Sequence, residues 1–392
     1  LSPEAIAAAL GQFPPTPEQS AVIAAPLGPA LVVAGAGSGK TETMSGRVVW
    51  LVANGLVRRD EILGLTFTRK AAGELAERIQ RRLARLTEFE SRGLLPDLED
   101  LHRRGELDVF GRIERESADP RRAAALRRET LDRLADDRLT RGERAGVAET
   151  GDAPAHTPRG DALLERPTVA TYNSFADQLV RENAVRIGRD PESVVLSESA
   201  AWLLMRRVVH DSDDPGLEAI ERRPSTIIDA ALRFARDAVD NLADLDEVAA
   251  FAADLREVLD RPSQRGSGPL APVRDAVAPV SWLPQLAVLA RAYDAEKRRR
   301  GLIDFSDQVA GALEVVMSHP SVAADLRDRY RVVLLDEYQD TSVVQSDLLA
   351  TIFADTPVMA VGDPHQSIYG WRGASAGNLG AFARAFAPTS LG

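Results

Sequence analysis

Apolar residues fall along this chain in two rhythms, short unbroken runs and stripes at helical spacing, and their alternation predicts a layered α/β protein. Leu31 to Val33, Ile62 to Phe67, Val332 to Leu335 and Val358 to Val361 are runs of strand length, rich in branched side chains. After the first run, Met44, Val48, Leu51 and Val52 share one helical face. After the second, Ala72, Leu75, Ala76, Ile79, Leu83 and Leu86 do the same, with the arginines of that segment largely off the stripe. From Phe175 to about Arg300 the period stays helical, as in Trp202 to Val209, Thr226 to Leu242 and Leu286 to Arg299, and no comparable strand interrupts it. The expected fold is α/β, a parallel sheet broken by a mainly helical insertion domain.

Local punctuation sharpens the boundaries. A short helix ends near Gly11, and Thr16 followed by Pro17 reads as an N-cap and first helical residue, which puts Gln19 in the first turn. Val169 to Tyr172 is expected to return as a strand, with Asn173-Ser174 capping the next helix. Asp304 and Asp307 could form a metal pair, but capping of the helix that follows is the more economical reading. The chain thus divides into a first core part (1–86), a charge-dense segment expected to be partly helical and partly mobile (87–167), a core strand (168–174), a helical domain (175–300) with a Pro/Gly/Ser-rich break at Arg261 to Pro272, and a second core part (301–392). No repeat of solenoid period is present.

Composition narrows the class. With 392 residues, 44% apolar and 27% charged, the chain has material for two or three globular domains. There are no cysteines, which excludes disulfides and cysteine chemistry and fits a reducing, cytoplasmic setting. Ala21 to Gly39 carries no charge, but its prolines and glycines argue against a membrane span. The chain starts at Leu1 without a basic, apolar leader, so its natural N-terminus is expected to lie upstream. A net charge of −11 gives no hint of nucleic acid, although local basic faces could form at Arg69, Lys70, Arg78, Arg81, Arg82 and Arg85, or at Lys297 to Arg300.

The chemistry concentrates in three places. Ala34-Gly35-Ala36-Gly37-Ser38-Gly39-Lys40-Thr41 lies between a strand and a helix, where glycines let backbone N–H groups turn inward and the helix N-terminus adds positive charge. In such a phosphate loop Lys40 reaches the β- and γ-phosphates and the Thr41 hydroxyl ligates Mg²⁺. Asp336 and Glu337 follow a buried strand expected to neighbour the one before the glycine loop, where one carboxylate can hold the metal and the other polarise water. The third place, Gly362 to Ala374, holds Gln366 at a strand tip, with Tyr369 and Trp371 close behind. Aromatics beside a basic groove can stack on exposed bases, though alone they are more often core.

In this order the motifs resemble the N-terminal half of a UvrD/Rep-type superfamily 1 DNA helicase. The matching elements are Gln19, Ala34 to Thr41, Leu65 to Ile79, Thr171 to Phe175, Leu335 to Thr341 and Val361 to Ala374. Within that family, Phe13 to Gln19, Gly39 to Met44 and Leu63 to Ala72 look most like the AdnB subunit of the actinobacterial AdnAB recombination motor. The resemblance implies a RecA-like P-loop NTPase sheet, ATP and Mg²⁺ as cofactors and single-stranded and duplex DNA as partners, with translocation from 3′ to 5′, a repair or recombination role, an AdnA-like helicase–nuclease partner and no membrane. It further implies that Gln19 reads the adenine edge, that Ala36, Gly37, Ser38 and Gly39 cradle phosphate beside Lys40 and Thr41, that Asp336 binds the metal, that Glu337 activates water and that Gln366 senses the γ-phosphate. Phe67, Tyr172, Tyr369 and Trp371 would contact DNA, and Arg372 would link them to the nucleotide.

Three departures stand out. Glu42 occupies a position commonly held by arginine, which removes a positive contact near the nucleotide. Thr171-Tyr172-Asn173-Ser174 stands where many members have Thr-Phe-His-Ser, so the resemblance does not carry over a base contact from the histidine position. The chain also ends at Gly392, ahead of the second motor domain that carries an arginine finger. A finger supplies about 10³ to 10⁵ in rate in comparable enzymes, so this piece alone is expected to bind ATP weakly and hydrolyse it very slowly. Two alternatives remain from the residues themselves, a nucleotide-gated scaffold without translocation and a P-loop nucleoside kinase. The absence of an obvious lid counts against the kinase.

Overall fold

The structure, a computed structural model, describes all residues except 36, 145–164, 219, 221, 261–277, 367–376 and 387–392. Seven strands are described: β1 (Ala30–Val33), β2 (Ile62–Thr66), β3 (Thr168–Thr171), β4 (Val194–Val195), β5 (Leu302–Ile303), β6 (Val332–Leu335) and β7 (Val358–Gly362). Five of them form one parallel sheet in the order β1-β7-β6-β2-β3, in a register that pairs Leu31 with Ala360, Leu334 with Met359 and Gly64 with Leu334. The crossovers between parallel strands demand helices, and these cover both faces.

Side-chain alternation decides which face each residue serves. Leu63, Leu65, Val333, Leu335 and Ala360 point to one side, against helices Tyr172–Asn183, Phe305–Ser318 and Val343–Phe353. Ile62, Val332, Leu334, Met359 and Val361 point to the other, against helices Lys40–Ala53 and Arg69–Glu90. Met44, Val48 and Leu51, predicted to share a face, are all fully buried there.

Helices Glu198–His210, Pro224–Asp240 and Leu283–Arg299 pack around a separate core that includes Met205, Ala231, Leu289 and Tyr293. The charge-dense segment forms helices up to Arg144 and encloses a fourth cluster of Phe89, Leu98, Phe110 and Leu131, which closes over the N-terminal helix Pro3–Ala9 at Ala9. Residues 145–164 of that segment, and the break at Arg261 to Pro272, lie outside the described residues. Among the described residues no helix is long and apolar enough to cross a membrane.

The structure corrects several expectations. The strand before residue 172 ends one residue early, because Thr171 is the cap: its hydroxyl accepts the Ser174 N–H at 3.0 Å, and Tyr172 opens the helix. Leu302-Ile303 does not rejoin the main sheet. It pairs in parallel with Val194-Val195, a two-residue strand inside the supposedly all-helical stretch and too short for periodicity to reveal. Asp304 and Asp307 form a reciprocal capping box on helix Phe305–Ser318. The two carboxylates also flank Lys297, which is 3% exposed and lies 3.3 Å and 2.5 Å from Asp304 Oδ2 and Asp307 Oδ2. Lys297 is therefore an internal strut rather than part of a basic face. Arg82 is buried as well, paired with Glu42 and donating to Ser45 Oγ at 2.9 Å.

Candidate nucleotide site and adjoining groove

The glycine loop leaves β1 at its carboxyl end, where Ala34 N–H donates to Gly362 O of β7 at 3.1 Å. Gly37 and Gly39 have φ of +75° and +82°. At Gly39, directly before helix Lys40–Ala53, the positive φ favours glycine, and a Cβ there would come within 2.7 Å of Gln19 Nε2 and displace that amide. Gln19 sits on its own helix, Pro17–Ile23, where the predicted N-cap Thr16 proves to form a reciprocal capping box with it, and its amide donates to Ser38 O at 3.0 Å. The glutamine expected ahead of the loop is thus joined to it. Ala36 lies outside the described residues.

The acidic side arises from β6. The sheet order puts β7 between β1 and β6, so the acids do not stand on the neighbouring strand as expected but two strands away. Glu337 turns the chain back through φ +52°, a conformation uncommon for a residue with a side chain. Its Oε2 lies 3.4 Å from Lys40 Nζ, and Lys40 also donates to Gln366 Oε1 at 3.4 Å. Residues 297 and 326 positions apart therefore converge on one ammonium.

Asp336 is buried, and burial, reinforced by the neighbouring Glu337 charge, pushes its pKa up to about 6 against the opposing pull of Lys40. Its Oδ2 accepts from the Thr66 hydroxyl at 3.3 Å, whereas Oδ1 is buried without a hydrogen-bond partner. A bare carboxylate oxygen beside a phosphate loop fits a Mg²⁺ ligand, directly or through water. Among the described residues no group of three or more acids or imidazoles is placed to hold a metal ion by itself.

The residue that ties these parts together was not singled out in the sequence. Gln339 is 1% exposed; its Nε2 donates to Glu337 Oε2 at 2.7 Å and to Asp340 Oδ2 at 3.2 Å, and its Oε1 accepts from Asp363 N–H at 2.9 Å. Asp363 Oδ2 in turn accepts from Gln366 Nε2 at 2.6 Å. Lys40, Glu337, Gln339, Asp363 and Gln366 close a ring of polar contacts that spans the tips of β6 and β7. A neutral amide between carboxylates was the available signal, since an amide can donate to two acids while its oxygen accepts from backbone.

The aromatic expectations divide. Phe67 is half-buried and meets Tyr172 edge to face, with ring centroids 5.9 Å apart. Tyr172, expected at DNA, is only 4% exposed and donates its hydroxyl to Asp336 O at 2.9 Å. There it buttresses the tip of β6. Tyr369, Trp371 and Arg372 lie outside the described residues.

Phe67 borders a groove of 1840 Å³ between the sheet and the helical layer, together with Arg69, Arg181, Trp202, Arg233 and Phe305. Phe305 is 49% exposed at the start of its helix, and sequence reasoning had attended only to the acids beside it. Carboxylates share the groove. Asp177 pairs with Arg181 and Glu198 with Arg236, and burial raises Asp240 to about 7.

Comparison with known proteins follows the same lines. The UvrD/REP helicase N-terminal domain family matches residues 15–387. The chain is 23% identical to DNA helicase II of Haemophilus influenzae over 93% of its own length and 36% of that protein. It is 25% identical to the ATP-dependent DNA helicase PcrA of Leuconostoc citreum, over 90% of the chain and 33% of the relative. Against an ATP-dependent helicase/nuclease subunit of Syntrophomonas wolfei the identity is 26%, over 91% and 34%. The chain thus spans about a third of the length of these relatives.

Proposed function

We propose, from the premise that this chain belongs to the UvrD/REP helicase N-terminal domain family, that it is the N-terminal motor half of an ATP-dependent DNA helicase or translocase. The observation that carries this reading is the meeting of Lys40 with Glu337 and Gln366 at the carboxyl edge of the sheet, where α/β proteins bind ligands. Lys40 would exchange these two partners for the β- and γ-phosphates of ATP. Glu337, released, would take a proton from the attacking water, and Gln366 would bond the γ-phosphate. Thr41 and Asp336 would hold Mg²⁺, which when bound neutralises phosphate charge. Gln366 also reaches Asp363 and, through Gln339, the tip of β6, so loss of the γ-phosphate would be felt across both strands.

Residues 1–86, 168–174 and 301–392 would form the motor core, and 175–300 the helical domain that faces DNA across the groove. Single-stranded DNA would lie along Phe67, with Tyr369, Trp371 and Arg372 as further contacts. Movement from 3′ to 5′, a cytoplasmic role in repair or recombination, and an AdnB-like place beside a nuclease-bearing partner complete the reading. The similarity to a helicase/nuclease protein supports the last point.

The test is ATP hydrolysis by the full-length protein with and without single-stranded DNA. Strong stimulation that Lys40→Ala abolishes is expected. Hydrolysis indifferent to DNA would favour a nucleotide-gated scaffold.

A further inference from the structure

Beside the glycine loop lies a cavity of 370 Å³, lined by Gln19, Glu42, Thr43, Trp50, Arg82 and, at its rim, Phe13. The Phe13 ring is 76% exposed. A lone exposed phenylalanine needs no explanation. This one differs because a second element holds it from behind: the Arg115 guanidinium lies over the ring, 5.6 Å from its centroid. Arg115 belongs to helix Asp108–Glu116 of the charge-dense segment.

That helix is fastened to the arm carrying Phe13. At Gly11, where φ is +72°, a Cβ would lie 2.7 Å from Glu114 Cγ and 2.9 Å from Phe110 O, so the turn rests directly on the helix. Two guanidiniums close the last carbonyls of helix Pro3–Ala9. Arg85 donates to Leu10 O at 2.9 Å and pairs with Glu114, while Arg127 donates to Ala9 O at 3.1 Å and lies 4.8 Å from the Phe110 centroid. At the far end the Thr16–Gln19 capping box anchors the arm, and Pro14-Pro15 restrict the backbone between. Phe13 is thereby suspended between two fixed points, with a cation on one face and its remaining surface largely open.

We propose that Phe13 stacks on the nucleobase of the bound nucleotide and that Arg115 is a positioning residue, through which the segment around residues 98–144 sets nucleotide affinity. The inference rests on the nucleotide-site reading above. An aromatic face accepts any base, so this wall supplies affinity, and discrimination falls to the polar groups of the cavity. The cation behind the ring restricts its orientation at little cost, because both groups are already exposed.

The test uses the present chain and four variants, Phe13→Ala, Arg115→Ala, Arg115→Lys and the double alanine, with affinities for ATP, ADP and inorganic tripolyphosphate measured by calorimetry. Phe13→Ala should weaken ATP and ADP about tenfold, from the value of one base–aromatic stack. Arg115→Ala should weaken both by about two- to fivefold, as for an exposed cation–π contact. Arg115→Lys should stay near wild type, the double variant should be no weaker than Phe13→Ala, and tripolyphosphate should bind all of them equally. Unchanged ATP affinity in Arg115→Ala, additive losses in the double variant, or an equal loss for tripolyphosphate would each overturn the proposal. Lys40→Ala separates the two readings: if it retains full affinity for both ATP and tripolyphosphate, the nucleotide site itself is misassigned.

Discussion

Replacing Gln339 by leucine, similar in size but without polar atoms, removes three hydrogen bonds at once, two of them from the closed ring and one to Asp340. Two go to carboxylates, where a bond contributes about 1.5 to 3 kcal/mol, and one is accepted from a backbone N–H, worth about 0.5 to 1.5 kcal/mol. Glu337 is partly open to water, its side chain 35% exposed, and the 3.2 Å bond to Asp340 is long, so the lower ends apply to both. The expected loss is about 3 to 5 kcal/mol, a large part of the about 5 to 15 kcal/mol that holds a typical domain. Urea denaturation measures it. The same variant frees Glu337 from its β7 link, so nucleotide affinity should fall alongside stability, whereas a remote destabilising substitution of equal size should leave affinity intact below the transition. A loss under about 1 kcal/mol with unchanged nucleotide binding would refute the claim that Gln339 couples the two strand tips.

Further outcomes follow from the same contacts. Lys297→Met leaves Asp304 and Asp307 buried without their cation and should cost about 3 to 5 kcal/mol in chemical denaturation; the triple replacement of all three by apolar residues should recover much of it. Asp240 has a folded pKa of about 7, raised from 3.8 mainly by burial, so its protonated form favours folding. That contribution is full below about pH 4 and is lost as pH rises to about 7, amounting to a few kcal/mol at most. Asp240→Asn should flatten the stability profile across this window, and an unchanged slope would contradict the assignment. Tyr172→Phe removes the hydroxyl that donates to Asp336 O and should cost about 1 kcal/mol of stability, while leaving DNA affinity of the full-length protein unchanged; a selective loss of DNA binding would restore the contact role first expected for Tyr172.

What could be read from the sequence was local. The strands of the main sheet announce themselves as apolar runs, the glycine loop by its spacing before Lys40, and the start of helix Pro17–Ile23 by Thr16 and Pro17, whereas the bond to the Gln19 side chain that completes the capping box emerges only in the structure. The site residues were recognisable as types, but their meeting was not. Whether Lys40 reaches Glu337 depends on β7 standing between β1 and β6, and no periodicity encodes strand order. Buried polar groups were misjudged for the same reason. Arg82 and Lys297 look like solvated helix charges until Glu42, Asp304 and Asp307 are brought beside them, and Gln339 looks like a loop polar until the β7 backbone arrives. Tyr172 had the composition of a base contact, yet the tip of β6 claims its hydroxyl.

The central claim is that one triphosphate is bound between the glycine loop and the tips of β6 and β7. The most direct measurement is a structure of the chain with Mg²⁺ and a non-hydrolysable ATP analogue. The account predicts that Lys40 leaves Glu337 and Gln366 for the phosphates and that the metal lies between Thr41 and Asp336. A nucleotide bound away from Lys40, or Mg²⁺ held without either of those two residues, would contradict it.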